Sequence, residues 1–316
     1  MAGGSEQRGA LCPVIAGPTA AGKTGLVIAL AAAYPIEVIS LDSRQIYHGL
    51  RIGTAQPSPA EQSVCTHHLV DFLSPEATYT AQRFREDFSR LWLEIRARGH
   101  LPILAGGAGM YLRAVTGGLL PLPAGSDARL PRVRAEVGAL DDAALAAELA
   151  RVDPVSHARL HANDRYRRTR ALEIYRLAGK PLSELTARQE PDPALGLEFP
   201  LFVLERPVEE LDDRIAARTE AMLAAGWVEE TRGLLQRHPP DCPGLRSIGY
   251  AEVVRFLGGE LAGGELAPAI VQATRQYAKR QRTWFRPLER EAAGSPEDRS
   301  LRRALQAVVE RALAGR

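Results

Sequence analysis

Lysine is scarce in this chain. Of its 40 basic residues only three are lysines, Lys23, Lys180 and Lys279, and the other 37 are arginines. Arginine and lysine are nearly interchangeable on a solvated surface, so a lysine kept in an arginine-rich chain marks a place suited to a compact point charge. Cysteine is equally rare. Cys12, Cys65 and Cys242 are odd in number and far apart, which argues against a disulfide framework and a zinc cluster. No uncharged apolar run approaches the ~20 residues of a membrane-spanning helix. Residues 1–10 lack the basic-then-apolar order of an export signal, so a cytoplasmic location is expected. Neither sign of charge is in excess: 38 acids leave a formal net charge of +2, which taken as an average speaks against a polyanionic partner. What remains, 45% hydrophobic and 25% charged residues, is an ordinary globular composition. A length of 316 residues allows two domains, or one large domain with an insertion.

Residues 11–16 (LCPVIA) read as a short buried strand. They lead into Gly17, Pro18, Thr19, Ala20, Ala21, Gly22, Lys23 and Thr24, which fit G-x-x-x-x-G-K-[ST] in full. Residues 25–34 then read as a helix ended by Pro35. Strand, glycine loop and helix is the context in which this motif binds phosphate. Gly17 and Gly22 let the backbone curl until successive N–H groups face one anion, and the helix N-terminus adds partial positive charge. Lys23 is placed to reach the terminal phosphate oxygens, and the Thr24 hydroxyl to ligate Mg²⁺. The loop predicts a bound di- or triphosphate, ATP among the options, but kinases, NTPases and some transferases all use it.

Residues 36–41 (IEVISL) form a second apolar strand ending at Asp42. Ligands of open α/β sheets sit beyond the carboxyl ends of the strands, so Asp42 is expected at the same edge as the phosphate loop. It can serve there as a general base or behind a metal ion, or simply cap the next segment. Residues 68–72 read as a third strand, followed by a helix over 80–98. Residues 101–105 read as a fourth strand, ending in Gly106-Gly107 where many NTPases carry an acid. His67 and His68 are adjacent, so on a strand they face opposite sides and read as structural.

Between 119 and 206 the strand signals stop. Pro121, Pro123 and Gly125 suggest a linker, and helical spacing follows from 135 to 178. The fold expected is an α/β, nucleotide-kinase-like parallel sheet core over 1–122 and 197–316, carrying an all-helical insertion at 123–196. The insertion contains four arginines between Arg165 and Arg170, with Tyr166 among them. Residues 275–288 (RQYAKRQRTWFRPL) hold five bases and no acid. On a helix Arg275, Lys279, Arg282 and Arg286 form one stripe, beside a largely apolar one through Val271, Thr274, Tyr277/Ala278, Gln281 and Trp284/Phe285 that would face the core. Solvated faces usually interleave acids, so two acid-free runs with aromatics favour a nucleic acid.

Together these segments resemble the bacterial-type tRNA dimethylallyltransferases, also called tRNA isopentenyltransferases. The matching stretches are GPTAAGKT at 17–24, DSRQIY at 42–47, IGTA at 52–55, HHLVD at 67–71 and GGAGMYL at 106–112. Asn163-Asp164, RALE at 170–173, GKP at 179–181, RSIGY at 246–250 and TRQYAKRQRTWFR at 274–286 complete the set. The resemblance implies transfer of a dimethylallyl group from dimethylallyl diphosphate to N6 of the adenine 3′ to the anticodon, by a monomer using Mg²⁺. It implies that the phosphate loop holds the donor diphosphate, that Asp42 is the base, and that Lys23 and Arg218 face the diphosphate; alternatively, Arg218 lies on a plain helix face. It implies tRNA contacts at Asp42, Ser43, Arg44, Gln45, Ala108, Tyr166, Arg167, Arg168, Thr169 and Arg170. Further ones fall at Arg246, Ser247, Ile248, Gly249, Tyr250 and Ala251, and at Lys279, Arg280, Gln281, Arg282, Thr283, Trp284, Phe285 and Arg286. The insertion would clamp the anticodon stem-loop. Departures from the family pattern are Ala108 for Thr, Arg51 for Asp, Gln56 for Lys and Thr66 for Pro, and the zinc extension of eukaryotic members is absent. Two rivals remain: a P-loop kinase, which leaves the basic runs unexplained, and an RNA-binding NTPase, which does not explain Gly106-Gly107.

Overall fold

The computed structural model describes residues 9–315; the reading of residues 1–8 as lacking an export signal lies outside them. The sheet has six parallel strands, β1 (Val14–Ala16), β2 (Ile36–Leu41), β3 (His67–His68), β4 (Leu101–Gly106), β5 (Leu201–Leu204) and β6 (Ala292–Gly294), in the order β3-β2-β4-β1-β5-β6. It is the parallel α/β core expected. Two strands are shorter than expected, for local reasons. Pro13 has no N–H to give a ladder, so residues 11–13 contribute only an isolated bridge from Leu11 to Glu198. Beyond His68, Leu69 and Asp71 take positive φ (60° and 52°), which turns the backbone out of the sheet.

Before the insertion come helices α1 (Lys23–Ala31), α2 (Pro59–Val64), α3 (Ala81–Ala97) and α4 (Gly109–Thr116). Helices α5 (Ser126–Gly138), α6 (Asp142–Val152), α7 (Pro154–Arg159), α8 (Arg165–Ala178) and α9 (Leu182–Ala187) form the insertion. The chain then runs through α10 (Val208–Ala224), α11 (Trp227–Leu235), α12 (Tyr250–Leu257), α13 (Gly263–Phe285) and α14 (Arg299–Ala314). One face of the sheet packs Leu26, Val27, Leu305 and Val309 of α1 and α14. The other packs Phe84, Phe88 and Ile95 of α3 with Trp227, Tyr250 and Phe285. Strands buried on both faces are largely apolar, which is why β1, β2 and β4 read as apolar runs; β2 is interrupted only by the buried Glu37 and Ser40.

Two compact units result: Met1–Thr116 with Pro193–Arg316, and Gly117–Asp192. The helical unit begins and ends earlier in the chain than 123–196. Asp192 N–H donates to the Gly117 carbonyl (3.4 Å), closing its base, while Ala194 and Leu197 already belong to the core of the sheet unit. Inside the helical unit α5 and α6 pack on α8 through Val133, Val137, Leu145 and Leu172. Its helices are capped by Asp141, Asp153 and Asp164, and α8 stops at Gly179 in the left-handed conformation.

Candidate active site

Strand register decides which residues meet. Ala16 and Leu41 both lie opposite Gly106 of β4, so the phosphate loop, the Gly106-Gly107 turn and Asp42 emerge side by side at the carboxyl edge. A side chain at Gly106 would strike backbone, and one at Gly107 would force the Gln281 amide to move. A Cβ on Gly106 would lie 2.1 Å from the Leu41 carbonyl oxygen, and one on Gly107 would lie 2.0 Å from Gln281 Nε2.

The phosphate loop is held from outside as well as by its own turn. Lys23 Nζ donates to the carbonyls of Gly17 (3.0 Å) and Pro18 (2.7 Å). Arg206 Nε donates to Ala21 O (3.0 Å), Arg214 Nε to Ala20 O (2.9 Å), and Arg218 Nη1 to Thr19 Oγ1 (3.3 Å). Gln281 Oε1 accepts from Thr19 N–H (2.9 Å), and its Nε2 donates to Gly107 O (3.0 Å). Residues far along the chain therefore shape the crest of the loop, where Ala20 takes a φ of 63°.

A cavity of about 420 Å³ opens over this loop, lined by Thr19, Ala20, Gly22, Lys23 and Thr24 together with Ser40, Asp42, His67, Arg214 and Arg218. A second, of about 290 Å³, is lined by Ser43, Arg44, Gly53, Ser247, Ile248 and Arg280, with an apolar wall of Ile215, Met222, Trp227 and Ile270. Thr19, Asp42, Thr54, Arg218 and Tyr277 line both. An anion site and a half-apolar pocket thus share one carboxylate and one guanidinium.

The electrostatics match this layout. Burial pushes the Lys23 ammonium down from 10.5 to about 8; Asp42 opposes the shift and Arg218 adds to it. Burial also lowers Arg218, against the pull of Asp42 and with a push from Arg214. Each cation is thus held in a place that an anion would relieve. The Tyr277 hydroxyl is pushed up by burial and then by the charge of Asp42, so it stays neutral. His67 is lowered by burial, and as a neutral imidazole its Nδ1–H donates to Cys65 O (2.8 Å). Asp42 Oδ1 accepts from the N–H groups of Arg44 (2.7 Å) and Gln45 (3.3 Å). The capping role and the cavity-facing role therefore coexist on one side chain.

The residues expected to touch RNA divide by burial. Tyr166 is 81% exposed, and Arg167, Arg246, Lys279, Arg280, Arg282, Thr283 and Arg286 are also exposed. Ser43, Arg44 and Ile248 reach the second cavity. Gln45 is spent internally, its amide donating to Ala55 O (2.8 Å). Ala108, Thr169, Ala251 and Trp284 are half-buried, and Gly249 supplies a backbone at φ 87°. Arg168, Ser247, Tyr250, Gln281 and Phe285 are buried, although Ser247 and Gln281 still border the second and first cavities. Arg168 Nη1 donates to Ala162 O (2.8 Å). The basic run of α8 is also less free than its sequence suggests: Arg165 pairs with Asp142, Arg167 with Asp164 and Arg170 with Glu173. Asp164 and Glu173 flank the run at i,i+3 spacing, and folding brings Asp142 to Arg165. In α13 only Arg275 is so paired, with Asp212 (3.3 Å). Among the described residues Lys279, Arg280, Arg282 and Arg286 have no acidic partner, although Arg280 lies 5.8 Å over the Tyr277 ring.

Several residues carry the site without any motif to mark them. Glu230 of α11 accepts from the N–H groups of Arg51 (3.1 Å) and Ile52 (3.0 Å) and from the Tyr250 hydroxyl, which fixes the 51–55 loop. Trp227 packs flat on Gly53, where a Cβ would lie 2.2 Å from its ring. The departures from the family pattern have local accounts. Arg51 pairs with Asp71 (3.1 Å), and Gln56 Nε2 donates to the carbonyls of Gln45 (2.9 Å) and Tyr47 (3.0 Å).

Comparison with known proteins agrees with this geometry. A family model described as IPP transferase matches residues 45–288. The chain is 45% identical over 278 residues to a tRNA dimethylallyltransferase of Bordetella parapertussis, covering 86% of this chain and 88% of the relative. It is 42% identical over 277 residues to that of Synechococcus sp. (strain JA-3-3Ab), covering 87% of this chain and 79% of the relative. A crystal structure of a tRNA isopentenylpyrophosphate transferase from Staphylococcus epidermidis superposes with a TM-score of 0.66 at 30% identity, covering 97% of this chain and 100% of the other. A eukaryotic dimethylallyltransferase acting on tRNA superposes with a TM-score of 0.76 at 28% identity, covering 87% and 70%. No helix among the described residues is long and apolar enough to cross a membrane. On these matches the chain belongs to the IPP transferase family.

Proposed function

We propose that this protein transfers a dimethylallyl group from dimethylallyl diphosphate to N6 of the adenine 3′ to the anticodon of tRNA. The observation that carries the reading is the meeting of two cavities at Asp42 and Arg218. The donor diphosphate lies on the loop from Gly17 to Thr24, and the adenine enters the half-apolar pocket from the side of Arg44 and Arg280. Extruding that base costs a few kcal/mol, less from a loop than from a duplex.

An allylic C–O bond breaks readily once its leaving diphosphate is stabilised. Lys23 and Arg218, both held below their ordinary proton affinity by burial, supply that stabilisation where little water competes. The adenine amine is a weak nucleophile because its lone pair is delocalised into the ring. Asp42 accepts its proton as the C–N bond forms, leaving N6-dimethylallyladenosine and diphosphate. Mg²⁺ fits the site: Thr24 lines the loop cavity, and no group of three or more acidic, His or Cys side chains able to cage a metal exists among the described residues. That donor set suits an ion held mainly by phosphate oxygens and water. Thr24 would ligate it, and the ion would supply Lewis-acid neutralisation of the diphosphate.

The exposed bases of α13, with Tyr166 and Arg167 of the helical unit, meet the tRNA, and that unit clamps the anticodon stem-loop. In this reading the protein acts as a monomer, in the cytoplasm. The test is transfer of radiolabel from dimethylallyl diphosphate to unmodified tRNA with no ATP present. A requirement for ATP, or phosphate transfer to a small acceptor, would return the protein to the kinases.

A further inference from the structure

Gln281 sits between Arg280 and Arg282 in the most basic segment of the chain, where the family resemblance implies an RNA contact while helical spacing puts it on the core-facing stripe. Its position follows the spacing. The side chain is only 5% exposed, and both ends of its amide are used inside the protein. Oε1 accepts from Thr19 N–H (2.9 Å) and Nε2 donates to Gly107 O (3.0 Å), an arrangement only one orientation of the amide satisfies. The Gly107 backbone approaches so closely that any Cβ there would lie 2.0 Å from Nε2. Thr19 is the phosphate-loop residue that lines both cavities, and its hydroxyl also accepts from Arg218 (3.3 Å).

We infer that Gln281 is a positioning residue: it borders the loop cavity, but both ends of its amide are spent on Thr19 and Gly107, and through it α13 sets Thr19 and with it the crest of the phosphate loop. The inference uses the reaction proposed above for one of its readouts. Its physical basis is the rigidity of the connection. Lys279, Arg280 and Arg282 face outward from the same turns of the helix from which Gln281 points inward. A backbone N–H in a buried loop also needs a partner, and here that partner comes from the helix facing the RNA. Moving the loop by an ångström displaces the diphosphate from the line of attack, and such misplacement is costly.

The test compares Gln281→Met, which keeps length and loses both hydrogen bonds, with Gln281→Glu, which keeps the acceptor for Thr19 and sets an oxygen against the Gly107 carbonyl. Melting temperature, tRNA affinity, affinity for inorganic pyrophosphate and kcat at saturation are measured for each. Gln281→Met should lower kcat by about 10- to 100-fold and weaken pyrophosphate binding by about 10-fold, with tRNA affinity unchanged and the protein folded. Weakened tRNA binding with kcat intact would make Gln281 an RNA contact and overturn the inference. A kcat that merely follows the folded fraction would overturn it too. If Gln281→Met does not fold, Gln281→Glu decides by the same measurements. If the wild type transfers no label, the proposed reaction fails, yet pyrophosphate affinity still decides the role of Gln281.

Discussion

Asp42→Asn separates the two roles of Asp42 cleanly. The carboxylate caps the turn through Oδ1, with Arg44 N–H at 2.7 Å and Gln45 N–H at 3.3 Å, and it faces both cavities. Asparagine keeps the carbonyl oxygen that accepts those bonds and removes the basic oxygen. Loss of a general base lowers the rate by about 10²–10⁴, equivalent to roughly 3–5 kcal/mol of barrier. Loss of the cap, which Asp42→Ala adds, costs about 1 kcal/mol of stability. The two effects therefore differ enough in size to be told apart. Asp42→Asn should transfer label at least about 100-fold more slowly at saturating substrates while its melting temperature and tRNA affinity stay near wild type. Asp42→Ala should be equally inactive and measurably less stable. The charge matters to a neighbour too: Asp42 holds the Lys23 proton affinity up against burial, so neutralising it should weaken donor binding near neutral pH. Single-turnover transfer with melting curves on the same preparations is the assay. An Asp42→Asn enzyme with nearly intact kcat, or one whose loss tracks its melting curve, would refute the base assignment.

Two further outcomes follow from the electrostatics. Lys23 is held at about 8 in the free loop by burial, so the charge that binds diphosphate is present below that pH and lost above it. Pyrophosphate affinity measured calorimetrically should be flat toward neutral pH and fall about tenfold per unit above it, and a flat profile through pH ~9 would remove Lys23 from the binding site. Replacing Arg280 and Arg282 with alanine should weaken tRNA binding and reduce its dependence on log salt by about one unit for each phosphate that is no longer neutralised. An unchanged slope would return α13 to a solvated face.

The sheet was legible because its strands are buried on both sides, and β2 agrees with its apolar run to the residue. The phosphate loop and Asp42 were legible because strand ends of an open α/β sheet share an edge. What stayed hidden depends on contacts between distant segments. Nothing local distinguishes Glu230 from other surface acids; only the approach of α11 to the 51–55 loop makes it an acceptor for two backbone N–H groups. His67 reads as structural because it stands beside His68. In the fold His67 lines the loop cavity while His68 donates to Glu37 (2.6 Å), on the opposite side of the strand. Arg165 and Arg176 of α8 look unpaired because their acids, Asp142 and Glu148, lie elsewhere in the chain, whereas Arg167 and Arg170 pair with Asp164 and Glu173 three residues away.

The Gly106-Gly107 turn and the basic helix, which look unrelated in the sequence, are one feature of the packing. An acid at the end of β4 is what a nucleotide-hydrolysing loop would offer there. In this protein the Leu41 carbonyl and the Gln281 amide fill that space, so a side chain at Gly106 would meet backbone and one at Gly107 would displace Gln281. Bringing α13 close enough to hold Thr19 leaves Asp42 to serve both cavities, between the loop cations and the second pocket. A single carboxylate so placed suits removing one proton from an entering amine better than positioning a water for hydrolysis. The same approach exposes the opposite face of α13, where Arg275 pairs with Asp212 but Lys279, Arg280, Arg282 and Arg286 find no acids among the described residues. A net charge of +2 hides this because acids are concentrated elsewhere, five of them between 205 and 213 alone. The positive charge is a property of one helix face, and the close packing of that helix against the phosphate loop puts that face next to the loop cavity; in the proposed reaction this is what brings the polyanion to the reacting centre.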